Sequence, residues 1–236
     1  MRCCGTVTLG ALLALLAMVS MAWAESPPEP SPEAVKSTSW YAATVVEDAQ
    51  GGFLMVHFWA KGPLFRSEAV LGGRRIVTIV DRTDYYIIDA VGRTGISIER
   101  SAAARALDET RGRPFGNELE QLLAQGGELI GSEQAQGKTL DVYRITDDRG
   151  RRTIWVSTTN PPVPLRVKTY DRETATTGKV DYVNWLHNPL VGDEFFTPDP
   201  RLKLQHFGYE EYRKRLRLGP IGPAPVLYRH LLHGEG

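Results

Sequence analysis

Between residues 37 and 101 short apolar runs alternate with turn residues. The runs fall at 40–46, 53–60, 65–71, 75–80, 85–90 and 95–100, and the breaks at Gln50-Gly51-Gly52, Lys61-Gly62-Pro63, Gly72-Gly73, 81–84 and 92–94. Gly, Asp and Pro punctuation at this spacing predicts successive hairpins. Connections so short leave no room for crossover helices, so the sheet should be an antiparallel meander. An Ala-rich stretch at 101–107 reads as a short helix. Residues 114–124 read as a second, with Phe115, Leu119, Leu122 and Leu123 on one face and Gly126-Gly127 as its stop. Strands resume at 128–133, 139–146, 152–158, 165–170 and 179–186, and a charged helix is expected at 210–218, followed by a Gly/Pro-punctuated tail at 219–225. The pattern therefore predicts a mainly β (α+β) fold of about eleven strands with two or three helices.

One run departs from simple alternation. Residues 53–60 are apolar at nearly every position, interrupted only by His57, and Tyr85-Tyr86-Ile87-Ile88 is similarly two-sided. Such strands are expected to have both faces out of water, either under helices or lining an internal hydrophobic space. The pattern does not choose between a filled interior and a cavity.

The N-terminus changes the picture of where this sheet works. Arg2, an apolar run at 9–21 and Ala22-Trp23-Ala24 have the anatomy of a secretory signal, with cleavage after Ala24. The apolar run is shorter than a membrane span requires. Residues 25–37 are acidic and Pro-rich at their start and read as a solvated linker. Both cysteines, Cys3 and Cys4, precede the apolar run, so the mature chain would have no disulfide, thiolate nucleophile or Cys-based zinc site. Loss of Arg2 with the signal leaves 27 Lys+Arg against 28 Asp+Glu, a net charge of −1 that offers no footprint for nucleic acid.

Candidate chemistry is sparse. No Gly-x-Ser-x-Gly elbow, His-Glu-x-x-His or phosphate loop is present. Of the five histidines, His57 lies in the apolar strand and reads as a core or rim residue, while His230 and His233 share helical spacing near the C-terminus with only Glu235 beside them. Asp81, Asp84 and Asp89 read as turn residues capping local amides, since their spacing matches no calcium loop. Residues 210–215 read as a solvated, ion-paired helix face. No catalytic residue, metal or cofactor is expected, and the chain does not read as an enzyme.

The order of elements resembles the LolA/LolB outer-membrane lipoprotein carrier superfamily. The resemblance is carried by 58–68, FWAKGPLFRSE, which looks like the family's aromatic-x-Lys-x-Pro turn and the strand after it. It continues through the pair 75–80 and 84–89, then Pro114-Phe115 with Leu119, Leu122 and Leu123. It ends at Val180-Asp181-Tyr182-Val183-Asn184 and Phe195-Phe196-Thr197-Pro198-Asp199-Pro200. The resemblance implies an incomplete antiparallel β-barrel at 38–200 with helical lid elements, preceded by the signal at 1–24 and the linker at 25–37, and followed by a C-terminal helix and extended tail at 201–236. It implies a monomeric periplasmic carrier that holds a lipoprotein acyl group or other hydrophobic ligand in an apolar cavity. Leu54, Val56, Phe58, Phe65, Tyr86 and Trp155 would line that cavity, and Phe115, Leu119, Leu122 and Leu123 would form the lid. An inner-membrane transporter and an outer-membrane acceptor would be its partners. Carriers of this type hold the lid with an arginine just before the turn proline; Gly62 stands there in this chain. The tail after Pro200 is a second departure. It supports an alternative in which the chain is a non-catalytic accessory or scaffold subunit of an envelope export or assembly system, docked through a sheet edge or through 228–232.

Overall fold

A computed structural model describes residues 38–48, 50–135 and 137–234. The expected signal at 1–24, with Cys3 and Cys4, and the linker at 25–37 lie outside the described residues. Six strands follow one another, each antiparallel to the next: β1 (Ser39–Glu47), β2 (Phe53–Lys61), β3 (Leu64–Leu71), β4 (Arg74–Val80), β5 (Asp84–Asp89) and β6 (Thr94–Glu99). Tight turns set their register. Leu71 faces Arg74 across Gly72-Gly73, whose φ angles of 55° and 77° are the left-handed pair that a twisted two-residue hairpin requires.

After α1 (Ala102–Leu107) and α2 (Glu118–Ala124) comes a second antiparallel meander: β7 (Glu128–Ala135), β8 (Lys138–Thr146), β9 (Gly150–Ser157), β10 (Pro164–Asp171) and β11 (Thr176–His187). The second meander returns to the first where β11 pairs with β1, from Trp40 opposite His187 to Glu47 opposite Lys179. The sheet order is β12-β6-β5-β4-β3-β2-β1-β11-β10-β9-β8-β7, an open curved sheet whose two edge strands do not meet.

The last strand and the second helix differ in detail from the expected elements. The described residues hold twelve strands, and the twelfth, β12 (Lys203–Phe207), runs parallel to β6. Its five residues carry only two apolar anchors, Leu204 and Phe207, and its partner lies more than a hundred residues earlier, at Thr94 to Ile98, so no local pattern announces it. The second helix is shorter than expected, beginning at Glu118, because Gly116 takes φ 70° and breaks the turn that Pro114 would have begun. Phe115 thus leaves the helix and points from a bend into the core.

Alternation sorts the sheet into two faces. The concave face carries Val56, Phe58, Phe65, Ile76, Val80, Tyr85, Ile87, Ile98, Ile154 and Val167, all buried in one cluster. Each side chain of this size contributes about 1.5–3 kcal/mol when fully buried. The convex face has a small second cluster, Val77, Ile79 and Ile88, under Leu202 and Leu204. The expectation that β2 has both faces out of water fails on this side: Phe53 is 71% and Met55 52% exposed. Further along β2 the convex face is an aromatic shell, with the Trp59 ring 5.3 Å from Tyr41 and 5.2 Å from Phe195.

Candidate functional site

Helices and loops roof the concave face. α2 packs on β8, β9 and β10, while α4 (Arg229–His233) packs on β5 and α1. α3 (Tyr209–Leu216) lies against β6, with Tyr212 buried and the solvent side ion-paired between Glu211 and Arg215 at 3.2 Å.

Arg113 shapes the loop leading into α2. It donates Nε to the Phe115 carbonyl at 3.0 Å and Nη2 to that of Gly116 at 2.7 Å, with its guanidinium over the rings of Trp40 and Trp185 at 4.9 and 5.1 Å. A Cβ on Gly116 would meet the Trp185 ring at 2.5 Å, so the bend needs glycine for space as well as for its positive φ. Phe115 then stacks between Phe58, at 5.2 Å, and Trp185, at 5.7 Å. The Tyr182 hydroxyl donates to Glu118 Oε1 at 2.6 Å and ties the first residue of α2 to β11. Burial first, then the adjacent Glu118 carboxylate, pushes the Tyr182 phenol well above its ordinary pKa.

The other half of the roof is the C-terminal segment. The Tyr228 ring lies 4.8 Å from Phe65 and 5.8 Å from Phe58, and its N–H donates to the Tyr85 hydroxyl at 3.2 Å. Burial pushes the Tyr228 phenol up to about 12. Leu231 and Leu232 are 2% and 0% exposed. Arg100, at the end of β6, is wholly buried and gathers this corner. It donates Nε to the Leu231 carbonyl at 2.7 Å, Nη1 to that of Asp81 at 2.8 Å, and a fork to Asp108 at 2.7 and 2.8 Å. Ser101 donates its N–H to the Leu232 carbonyl at 3.0 Å and its hydroxyl to that of His233 at 2.7 Å, while the same hydroxyl caps α1 by accepting from Ala104 N–H.

These contacts place the residues expected to line a cavity. Val56, Phe58 and Phe65 meet on the concave face, and Leu54 is half-buried at its margin. Tyr86 and Trp155 are on the convex side. Tyr86 packs with Val77, Ile79 and Ile88 and its hydroxyl donates to Asp81 Oδ2 at 3.2 Å; the Trp155 indole donates to Glu133 at 2.7 Å with Lys168 over its ring. In both strands the inward residue is the immediate neighbour, Tyr85 and Ile154, and a period of two puts adjacent side chains on opposite faces. Of the lid residues, Leu122 is fully buried, Leu119 and Phe115 join the core, and Leu123 is 47% exposed. Sequence reasoning missed Tyr85 and Arg100, and left open whether 225–232 packs on the barrel or docks elsewhere. The spacing of Tyr228, Leu231 and Leu232 is the one local sign that this tail has an apolar side. Gly62 holds only a turn, at φ 55°; the arginines that grip roof carbonyls here are Arg113, in the loop before α2, and Arg100, at the C-terminal segment.

Remaining candidates resolve into local structure. His57 bonds the Tyr41 hydroxyl at 3.0 Å. His230 Nε2 is 3.1 Å from the Pro114 carbonyl and His233 Nδ1 is 3.0 Å from the Tyr209 hydroxyl, so the two do not converge. Asp81 accepts from the amides of Thr83 and Asp84, and Asp89 from those of Val91 and Gly92. Among the described residues no group of three or more His, Cys, Asp or Glu side chains is placed to hold a metal. No helix among them is long and apolar enough to cross a membrane.

No family model matches the sequence, and no curated protein matches it. Solved structures do match in shape. An uncharacterized conserved protein from Thermus thermophilus is similar at TM-score 0.50 and 12% identity, over 72% of this chain and 91% of that one. MucB in the Pseudomonas aeruginosa MucA/MucB complex is a looser likeness, at TM-score 0.44 and 15% identity over 72% of this chain and 59% of that one. A putative outer membrane lipoprotein-sorting protein domain from Vibrio parahaemolyticus is looser still, at TM-score 0.31 and 12% identity over 68% and 89%. At 12% identity the likeness to the Thermus thermophilus protein is one of fold, and function has to be argued from the site itself.

Proposed function

We propose that this protein is a non-catalytic envelope carrier that holds the acyl chain of a lipid or lipidated protein against the concave face of its half-barrel. The observation that carries this reading is the covering of that face. A continuous apolar floor, centred on Phe58 and Phe65, is roofed by short helices and a connecting segment instead of a second sheet. A roof of separate short pieces can part from the floor in steps, which a sheet sandwich cannot do. Affinity would come from burying methylenes, at about 0.8 kcal/mol each, so binding should strengthen with chain length. The export signal read in the sequence would place the carrier in the periplasm, between a donor and an acceptor membrane. The test is titration of the protein with a fluorescent conjugated fatty acid, with palmitate as competitor, alongside native mass spectrometry of protein purified from the envelope. Saturable, competable binding is the expected result. No binding together with a bare mass rejects the reading.

A second reading, an accessory subunit of an envelope assembly system, is favoured by β7. Seven of its eight residues are exposed and it forms a free sheet edge, with Leu129 and Ile130 at 55% and 48% exposure. Docking through 228–232 would require that segment to leave the fold first, because Leu231 and Leu232 are buried within it.

A further inference from the structure

We infer that the C-terminal segment, residues 219–233, is a displaceable stopper: it occupies in cis the seat that a ligand's chain takes, and ligand enters as the segment leaves. The inference rests on the carrier reading above and adds where the chain goes and what must move.

Three observations carry it. The first is position. Val226, Tyr228, Leu231 and Leu232 cover the floor around Phe58 and Phe65 that the carrier reading assigns to the ligand, with Tyr85 beside it bonded to Tyr228. The second is independence from the sheet. Among the described residues none beyond Phe207 takes part in strand pairing, and the stretch between Leu216 and Arg229 contains no helix or strand. Three prolines and two glycines punctuate it, and Leu218 and Leu227 are 89% and 38% exposed. The segment can therefore leave with the twelve-strand ladder intact.

The third observation concerns what is left behind. Arg100 loses only the Leu231 carbonyl and keeps its fork to Asp108 and its bond to the Asp81 carbonyl. Ser101 still caps α1 through Ala104. No buried charge is orphaned, which is the usual barrier to opening a core. What departure does expose is the apolar floor, and water is a poor replacement for Leu231, Leu232 and the Tyr228 ring. An acyl chain restores that contact, so exchange is favoured over vacancy.

The experiment is hydrogen exchange on the full chain, with and without saturating palmitate. Amides of 226–233 should exchange faster with palmitate, while those of β4 to β6 stay equally protected. A full-length Leu231→Ala variant, its fold checked by circular dichroism, should bind the fluorescent fatty acid at least about tenfold more tightly, since the ligand no longer competes with a well-seated segment. Unchanged exchange at 226–233, with equal affinity in both proteins, overturns the stopper and leaves the carrier reading standing. Absence of fatty-acid binding in both proteins overturns both readings together.

Discussion

The concave and convex faces of the sheet are made by the same strands and have opposite fates. Along β2, Val56, Phe58 and Ala60 are 5%, 9% and 1% exposed, while Phe53 and Met55, equally apolar and one residue out of phase, are 71% and 52% exposed. Burial here is decided by what covers a face. The concave face is covered by the Phe115 bend, by α2, by α3 and by the C-terminal segment; the convex face is covered where 194–204 crosses β2 to β5. That contrast locates the ligand seat in the carrier reading, because a seat needs an apolar floor and a removable cover together.

The contrast can be broken first at Arg100, whose guanidinium is buried against Asp108. Arg100→Met strands that carboxylate and the roof carbonyls, and should cost about 3–5 kcal/mol in urea unfolding. A cost under about 1 kcal/mol would mean that the corner is not held by this residue. The two faces can then be compared directly. Phe65→Ala should destabilise by about 3–5 kcal/mol through the cavity it leaves, whereas Phe53→Ala should fall within about 0.5 kcal/mol of the parent. Similar losses at both positions would show that the convex face is covered in solution.

The smallest expected effect concerns pH. Burial lowers the His230 pKa, helped by the nearby Arg111 charge and opposed by the bond to the Pro114 carbonyl. The folded state thus binds this proton less readily than the unfolded chain, and its stabilising effect is present above the ordinary imidazole value near about 6.5 and lost as the pH falls below it. Thermal unfolding between about pH 7.5 and 5.5 should therefore show a steeper loss in the parent than in His230→Gln. Equal slopes would show that His230 is solvated in the folded state.

Much of the fold was legible because hairpins are local. Gly72-Gly73, Lys61-Gly62-Pro63 and the aspartate turns at 81 and 89 fix register within a few residues, and eleven strands follow from that punctuation. The site was legible only in part. Val56, Phe58 and Phe65 could be placed from their own strand, but Tyr86 and Trp155 were put on the wrong face because a two-sided apolar strand gives no phase. Leu123, read as part of the helix's apolar face, is 47% exposed, while Leu122 beside it is the residue α2 buries fully. Arg100 was silent: one arginine at a strand end looks like any surface charge until the chain brings Leu231 and Asp108 to it.

By itself the sequence determined the meander, its turns and the apolar content of β2, since each depends on residues close along the chain. Tertiary structure decided which face of β2 is dry, that β12 closes on β6, and that the C-terminal segment fills the half-barrel. Those outcomes depend on contacts between residues more than a hundred positions apart, as between Arg100 and Leu231. Local pattern carries no information about such partners, and it is the partner that decides burial.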